Sequence, residues 1–274
     1  MRVSIVIPSY NQVEFLERTL SSVTEQPLAD VEILVMDGGS TDGSVETIER
    51  YSDRIAFWRS ERDDGQSGAI ADGLARATGD ILGWINSDDL LLPDALTRVV
   101  DAFARHRESE WLIGGSHVID ANDRILSKRM VIDRLSLADL LYGHYRLPQE
   151  SVFYRAEFYR RIGGIRRDLH WAMDFELWVR MLAAAKPRIL PAFLGAYRIQ
   201  PNQKTAAMDK YQAEIAELAD AYRARFWKEN PALLHGHRVA RLTLPARRFL
   251  AKVRAEGVLH SLQWMVERRS LNRA

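Results

Sequence analysis

The first 115 residues alternate between two spacings of apolar side chains. Short, largely apolar runs are typical of buried strands, and they occupy residues 3–7, 31–36, 55–58, 81–85 and 111–115. Between them, apolar residues recur three or four positions apart, which predicts helices over 13–25, 43–51, 67–77 and 93–106. Such alternation indicates an α/β fold with a mainly parallel central sheet flanked by helices. In the last of these helices we expect Pro93 in the first turn and Asp89 near the N-cap.

The pattern changes after residue 115. Residues 117–120 and 124–129 flank a polar turn at 121–123 and predict a hairpin. Further segments are expected as short helices over 135–142 and 155–162, a longer helix over 174–185, and strands over 188–190 and 193–198. From residue 205 onward the spacing is nearly all helical, interrupted at Pro231, Pro245 and Gly257. We therefore expect a domain over 1–204, with halves 1–115 and 116–204, and a C-terminal helical extension over 205–274.

Composition narrows the classes of protein to consider. Apolar residues make up 47% of the chain and charged residues 27%, values that are ordinary for a soluble globular protein. The absence of cysteine excludes disulfides, thiolate chemistry and thiolate metal sites. A strand-like run begins at Val3 and leaves no room for a signal peptide, and no apolar run approaches the roughly 20 residues that span a bilayer. These features predict a cytoplasmic location.

The net charge of +1 hides an uneven distribution. Residues 236–274 contain nine Arg plus Lys and only two Glu, interleaved with apolar residues at helical spacing. One interpretation is a basic amphipathic segment that rests on an anionic membrane, on the inner face. The other is a helical extension that packs on the preceding domain and leaves its basic face in solvent. We expect no nucleic acid partner, because no recognition motif is present.

Polar and acidic residues follow four of the predicted strands. They are the segments 8–11, 37–43, 63–64 and 86–89. Because parallel strands end at one edge of a sheet, and ligands bind at that edge, we expect these segments to line one site. Adjacent carboxylates such as Asp88 and Asp89 repel each other unless a cation sits among them, although a solvated pair at a helix N-terminus is the alternative. The sequence therefore predicts a metal-nucleotide site.

The order and spacing of these motifs resemble family 2 glycosyltransferases with the GT-A fold. The matching stretches are IVIPSYN (5–11), DGGSTDGS (37–44), DDGQSGAIADGLARATGDILGWINSDD (63–89), LPQESVFYR (147–155) and LHWAMDFELWVR (169–180). The resemblance implies a GT-A nucleotide-diphospho-sugar transferase fold. It also implies inverting transfer of a sugar from a nucleotide-diphospho-sugar, with a UDP-sugar favoured, to an acceptor hydroxyl.

The same resemblance assigns roles on the donor side. It implies that the donor is bound by Pro8, Tyr10, Asn11, Asp37, Gly39, Asp63, Gln66, Asn86, Ser87 and Asp88, with Asp37 against the base. The stretch Asn86-Ser87-Asp88 stands in the place of the family's Asp-x-Asp motif, so Asp88 would hold Mn²⁺ or Mg²⁺ with Asp89 in support. Hard oxygen ligands suit these ions, which offset the charge that develops on a leaving diphosphate.

On the acceptor side, the resemblance implies that Asp174 is the general base. Asp174 and Glu176 are two residues apart on a helix, so one can face a cleft while the other is solvated or pairs with Arg180. Inversion by a single displacement needs only one carboxylate near the nucleophile. Supporting or acceptor-side roles fall to Asp89, Gln149, Trp171, Glu176 and Arg198. Trp171 suits either a sugar face or the core, and Gln200 stands where relatives often carry a His that contacts the diphosphate.

The implied acceptor is a saccharide or a lipid-linked saccharide, in the synthesis of a cell-surface polysaccharide or lipid-linked glycan. Two rival functions are considered beside this one. A sugar-nucleotide pyrophosphorylase would need a Gly-rich, basic phosphate loop near the N-terminus, and residues 9–12 offer none. A non-catalytic sugar-nucleotide scaffold or sensor at the membrane surface would keep its biological activity after Asp174→Asn.

Overall fold

The computed structural model of the chain describes residues 1–131, 135–143, 146–200 and 208–234, together with positions 246, 249, 250 and 253. The strands are β1 (Val3–Ser9), β2 (Val31–Asp37), β3 (Phe57–Ser60), β4 (Ile81–Trp84), β5 (Leu90–Leu91), β6 (Trp111–Ile119), β7 (Ile125–Arg129), β8 (Val152–Arg155) and β9 (Arg188–Arg198). The helices are α1 (Val13–Thr24), α2 (Ser44–Arg50), α3 (Gln66–Arg76), α4 (Ala95–Arg105), α5 (Leu137–Leu141), α6 (Ala156–Arg161), α7 (Met173–Ala184) and α8 (Met208–Glu229). Nearly all of the basic segment 236–274 lies outside the described residues.

One mixed sheet runs through the described part of the chain, in the order β3-β2-β1-β4-β8-β6-β9-β5, with β7 on β6. The N-terminal half, β3-β2-β1-β4, is parallel as the alternating pattern predicts. Its register places the last residues of three strands side by side, since Ser9 pairs with Asp37 and Asp37 with Ser60. In the second half β8 runs antiparallel to both β4 and β6, whereas β9 is parallel to β6.

Two apolar clusters cover the two faces of this sheet. Along β1, Ile5 and Ile7 point into one cluster with α1 and α4, and Val6 points into the other. The second cluster is larger, because it also takes in α3, α5, α7 and α8. Within it the indole of Trp178 on α7 stacks between Trp84 of β4 and Trp111 of β6, with ring centroids 5.3 and 6.4 Å apart. This stack fixes α7 beside the end of β4.

The predicted boundaries of the third strand, of helix α4 and of strand β9 are wrong. Residues 52–54 form a 3-10 turn, so the third strand begins at Phe57, two residues later than expected. Helix α4 begins at Ala95 with Asp94 at its N-cap, which places Pro93 before the helix and Asp89 five residues before the cap. The predicted strands 188–190 and 193–198 are one strand, β9, whose register on β6 shifts near Pro191.

Helix α8 packs on the domain that precedes it. Ala219 and Phe226 are buried in the larger cluster, against α5 and α7. The two interpretations of the basic segment, packing on the domain or contact with a membrane, concern residues 236–274, nearly all of which lie outside the described residues. In the ranges that the structure describes, no helix combines the length and the apolarity needed to cross a bilayer.

Candidate active site at the carboxyl ends of the strands

The loops after β1 and β2 form the first wall of a cavity. Pro8, Ser9, Tyr10, Gly38 and Gly39 all line it. Gly39 has a φ of +83°, which side chains rarely tolerate, and a Cβ on Gly38 would lie 3.3 Å from both Tyr10 and Asp63. The absence of side chains at both glycines therefore leaves a narrow slot beside the Tyr10 ring.

Asp37 and Asn11 hold these loops and do not line the cavity. Asp37 is fully buried, and its carboxylate accepts hydrogen bonds from the backbone of Gly39 and Ser40 at 3.0 and 2.8 Å, and from the hydroxyls of Ser40 and Ser60 at 2.6 Å each. Asn11 Oδ1 accepts from Thr41 N at 2.9 Å. The carboxylate of Asp37 thus holds its own loop, and its direct contact with a base stays a prediction.

Asp63 and Gln66 line the next part of the wall, at the start of α3. Asp63 Oδ1 accepts from Gly65 N at 2.8 Å, which leaves its other oxygen beside Gly38. The Gln66 amide donates to Asn86 Oδ1 at 2.8 Å and so connects this loop to the end of β4.

The Asn86 side chain organises the loop after β4. Besides accepting from Gln66, it donates to Asp89 Oδ2 at 3.1 Å and to Gln149 Oε1 at 3.2 Å. Gln149 in turn donates to the carbonyl of Trp84 at 2.7 Å. Both amides therefore line the cavity with most of their hydrogen-bonding groups engaged inside the protein. Their first role is to fix the position of Ser87 and Asp88.

Asp88 and Asp89 both line the cavity, and Asp88 is the less buried of the two. Gln200 Nε2 donates to its Oδ2 at 3.1 Å. Burial raises the pKa of Asp88, although Gln200 and the charge of Arg198 act in the opposite direction. Gln200, at the position where the resemblance leads us to expect a His, therefore contacts Asp88, the residue predicted to hold the metal.

Asp89 is buried and points away from solvent, so the alternative of a solvated N-cap pair is wrong. Its Oδ1 accepts from Arg198 N at 2.8 Å. Burial, followed by repulsion from Asp88 and Glu150, raises the pKa of Asp89 well above its usual range. Burial also raises the pKa of Glu150, whose side chain accepts from the Ser116 hydroxyl. Three carboxyl groups thus share one poorly solvated region beside the cavity.

Arg198 is a structural residue behind Asp88. Its side chain is fully buried and donates to the carbonyls of Asp88 and Asp120 at 2.6 and 2.9 Å, and it pairs with Asp123 at 2.5 Å. The guanidinium also lies 4.9 Å from the centre of the Phe15 ring. Arg198 does not line the cavity, and its effect is to hold the backbone of Asp88.

Asp174 lines the opposite wall of the cavity from the first turn of α7. Its Oδ1 accepts from Phe175 N at 2.7 Å. Glu176 points the other way, as the spacing predicts: it is fully buried and pairs with Arg180 at 2.7 Å. The acceptor-side role predicted for Glu176 is therefore wrong. Asp174 is the carboxylate of α7 that lines the cavity.

Trp171 is half-buried, lines the cavity and has Lys210 of α8 within 5.7 Å of its ring centre. It thus combines the two roles considered for it, packing and contact with the cavity. The sequence interpretation missed several other lining residues. They are Ser9, Gln12, Arg62, Trp84, Arg129, Arg146, Glu150, Met208 and Tyr211. Within the described residues, Ser9 Oγ and Trp84 Nε1 are buried without a hydrogen-bond partner, which suits a polar ligand.

The residues present fit a divalent cation that is shared with a ligand. Within the described ranges, no group of three acidic or His residues is arranged to hold a metal by itself. Mg²⁺ and Mn²⁺ commonly use one or two carboxylates together with phosphate oxygens and water, so a single carboxylate that reaches the cavity is enough. The raised pKa of Asp88 marks a site where a cation would relieve the cost of a buried negative charge. Asp88 would be the protein's ligand.

The whole cavity has a volume of about 1000 Å³. It brings together twelve of the predicted residues, namely Pro8, Tyr10, Gly39, Asp63, Gln66, Asn86, Ser87, Asp88, Asp89, Gln149, Trp171 and Asp174. Four others, Asn11, Asp37, Glu176 and Arg198, lie outside the lining. The loop after β4 and the first turn of α7 therefore meet at one site, with a carboxylate from each.

Comparison with known sequences gives a family. A profile of glycosyl transferase family 2 matches residues 4–163. A protein of Mycobacterium tuberculosis described as an uncharacterized glycosyltransferase is 32% identical over 189 residues, which cover 68% of this chain and 70% of that protein. The chain spans only 36% to 40% of the length of several other curated glycosyltransferases that it matches.

Solved structures share the architecture at low identity. The structure of S. aureus TarS 1-349 in complex with UDP-GlcNAc has a TM-score of 0.64 and 16% identity, and the match covers 92% of this chain and 79% of that one. The mannosyltransferase PcManGT from Pyrobaculum calidifontis, in complex with GDP-Man and Mn²⁺, has a TM-score of 0.59 and 21% identity, with 100% and 81% coverage. Likeness at this level shows the fold, GT-A.

Proposed function

The chain belongs to glycosyl transferase family 2, and from that premise we propose that it is an inverting glycosyltransferase. It moves a sugar from a nucleotide-diphospho-sugar to an acceptor hydroxyl. The observation that carries the proposal is the single cavity of about 1000 Å³ that both Asp88 and Asp174 line. Small-molecule sites usually measure about 300–1,000 Å³, so this one has room for a donor and part of an acceptor.

The donor lies against the strand ends of the N-terminal half. Tyr10 and Asp63 border the slot above Gly38, where a planar base fits between a ring and a carboxylate. The buried hydroxyl of Ser9 and the indole N–H of Trp84, which have no hydrogen-bond partner among the described residues, are available to the polar groups of the donor. We favour a UDP-sugar, since TarS, which shares the fold, binds UDP-GlcNAc. PcManGT with GDP-Man makes GDP the alternative nucleotide.

We propose that the reaction depends on Mn²⁺ or Mg²⁺ held by Asp88. The bound ion supplies positive charge to the diphosphate as the glycosidic bond breaks. Asp89 supports this site from behind, because its buried carboxylate fixes the backbone of Arg198, whose side chain holds the carbonyl of Asp88. PcManGT, a protein of the same fold, binds Mn²⁺ together with its donor.

Asp174 acts as the general base. It takes the proton of the acceptor hydroxyl while that oxygen attacks the anomeric carbon, and the nucleoside diphosphate leaves from the opposite side. One carboxylate is sufficient for such a displacement, which inverts the anomeric configuration. The buried pairing of Glu176 with Arg180 supports this assignment, because it removes the neighbouring carboxylate as a candidate.

The acceptor is a saccharide or lipid-linked saccharide in the synthesis of a cell-surface polysaccharide or lipid-linked glycan. We propose that residues 1–204 form the catalytic domain, with a donor half over 1–115 and an acceptor half over 116–204, and that 205–274 is an extension. The lining residues Met208 and Tyr211 support an extension that completes the acceptor side of the cavity. Its basic segment would reach the inner face of a membrane that carries such an acceptor.

Release of nucleoside diphosphate tests this function. The purified chain is incubated with Mn²⁺ and, in turn, UDP-GlcNAc, UDP-glucose, UDP-galactose and GDP-mannose, with water or a mixture of saccharides as acceptor. We expect turnover of one donor, and a loss of about 10²–10⁴-fold in Asp174→Asn, the usual range when a general base is removed. Asp168→Asn is a matched control, because Asp168 is an exposed carboxylate that pairs with Arg166 outside the cavity.

The anomeric configuration of the product, read by NMR, tests inversion separately. Retention of configuration would contradict the single displacement. Binding of a donor without turnover, together with full biological activity of Asp174→Asn, would favour the non-catalytic scaffold or sensor instead.

A further inference from the structure

The C-terminal helix α8 contacts the helix that carries Asp174 at three points along its length. Tyr211 is hydrogen-bonded to Asp174 and Glu214 to the backbone just before α7, and the Tyr222 hydroxyl donates to Glu176 at 2.5 Å. Two of these contacts concern the proposed base directly. We propose that Tyr211 and Glu214 are positioning residues for Asp174, so that α8 is part of the acceptor side of the active site. The inference rests on the proposed function, and it adds that residues of α8 orient the general base.

Tyr211 acts on the carboxylate itself. It lines the same cavity as Asp174, and its hydroxyl is hydrogen-bonded to that side chain. Burial, followed by the negative charge of Asp174, raises the pKa of Tyr211 far above its usual range, with Arg146 opposing and Tyr197 adding to the shift. The phenol therefore remains protonated and must be the donor of the hydrogen bond. A fixed donor of this kind orients the carboxylate and favours its charged form.

Glu214 acts on the backbone that leads into α7. Its Oε1 accepts from His170 N at 3.2 Å, and its Oε2 accepts from Trp171 N at 2.8 Å and from Ala172 N. Helix α7 has no side-chain cap of its own at Ala172, so a carboxylate from α8 takes the place of a local cap. Negative charge at this end also suits the helix dipole. Because Asp174 is only two residues beyond Ala172, this contact restrains the backbone that positions the base.

The chemistry explains why both contacts matter. A general base works only if one oxygen lies within hydrogen-bonding distance of the acceptor hydroxyl, and a displacement of about 1 Å can cost about 10²-fold in rate. Oδ1 of Asp174 already accepts from Phe175 N at 2.7 Å. Tyr211 adds a second, independent restraint on the carboxylate, and Glu214 restrains its backbone. Both restraints act on α7 and the segment just before it, so donor binding should be insensitive to both.

The test compares two tyrosine-to-phenylalanine variants of the full chain. Tyr211→Phe and Tyr222→Phe each remove one hydroxyl from α8 that donates to a carboxylate of α7, but Tyr222 does not line the cavity. Nucleoside diphosphate release is measured with whichever donor of the panel is turned over, well below the unfolding temperature. We expect Tyr211→Phe to lower kcat at least about tenfold with KM for the donor changed by less than about twofold. Tyr222→Phe should leave both within about twofold.

Two further measurements separate positioning from a loss of folded protein. In Tyr211→Phe the acid side of the pH profile of kcat should move to higher pH, because the ionised carboxylate has lost a donor, whereas in Tyr222→Phe it should stay in place. Glu214→Ala should also lower kcat at unchanged KM. The matched control for it is Glu217→Ala, an exposed glutamate on the same helix.

The outcomes distinguish this inference from the proposed function. If Asp174→Asn is inactive but Tyr211→Phe and Tyr222→Phe have the same kcat and the same pH profile, the positioning role is overturned and the proposed function stands. If Asp174→Asn retains full turnover, both are overturned. If Tyr211→Phe does not fold, Glu214→Ala decides: a kcat equal to that of Glu217→Ala overturns the inference.

Discussion

Replacing Glu176 with glutamine should weaken the fold and leave the chemistry intact. Glu176 is fully buried, and its oxygens accept from Arg180 Nε at 2.8 Å and Nη2 at 2.7 Å. Arg180 also donates to the carbonyls of Ile162 and Gly164, so the pair ties α7 to the turn after α6. Glutamine keeps the shape of the side chain, but it removes the charge and turns an N–H donor toward Arg180.

The structure sets the size of the effect. Removing one partner of a buried ion pair costs about 3–5 kcal/mol in general. Arg180 keeps two carbonyl partners and its side chain is 20% exposed, so its remaining charge is only partly desolvated. We therefore expect a loss of about 2–3 kcal/mol in the free energy of unfolding. For a domain of this size the corresponding fall in Tm is roughly 5–10 °C.

Urea unfolding of Glu176→Gln, Arg180→Met and the double variant measures this loss. The two changes should be non-additive by about 2 kcal/mol, since either one already breaks the pair. At 20 °C or so, where Glu176→Gln remains folded, its kcat should stay within about threefold of the wild-type value. A variant with the urea midpoint of the wild type, or a folded variant as inactive as Asp174→Asn, would refute the structural role of Glu176.

Three further predictions concern the donor half of the domain. Burial raises the pKa of Glu32, but hydrogen bonds from Ser4 and Thr78 and the charge of Arg2 bring it below its ordinary value of 4.5. The ionised carboxylate therefore stabilises the fold above about pH 4.5, and this stabilisation is lost as the pH falls. Between about pH 6 and pH 3, the Tm of Glu32→Gln should fall less steeply than the Tm of the wild type. In Gly73→Ala the new Cβ would lie 2.5 Å from Val6 Cγ1, and urea unfolding should show a loss of about 1–3 kcal/mol. Asp37→Asn puts a donor where four donors converge, so calorimetry should show UDP or GDP binding weakened at least about tenfold.

The parallel half of the sheet and the edge that binds the ligand could be predicted from the sequence. Buried runs such as 31–36 are apolar at all positions but Glu32. Their polar exits fall in register, as the pairing of Ser9 with Asp37 and of Asp37 with Ser60 confirms. The second half could not be derived in this way. Strand β8 is only four residues long and lies between β4 and β6, although more than 60 residues separate it from β4 in sequence. Local spacing carries no signal for such long-range antiparallel pairing.

The types of residue at the strand ends predicted where the site lies better than they predicted what each residue does there. An acidic residue at a strand end can contact a ligand or tie down its own loop, and only the count of donors around Asp37 shows the second. Arg198 lies at the end of β9, and the sequence alone does not show that it is fully buried behind Asp88. The contributions of Tyr211 and Glu214 depend on how α8 packs on α7, which helical spacing alone cannot specify.

The central claim is that Asp88 holds a divalent cation through which the cavity binds a nucleoside diphosphate. Isothermal titration of UDP, and of GDP in parallel, into the wild type and Asp88→Asn, each with Mn²⁺ or with EDTA, tests it most directly. We predict that Mn²⁺ tightens the Kd of one nucleotide for the wild type by at least about tenfold, a gain of about 1.4 kcal/mol, and has no such effect on Asp88→Asn. Equal affinity with Mn²⁺ and with EDTA in the wild type, or an undiminished metal effect in Asp88→Asn, would contradict it.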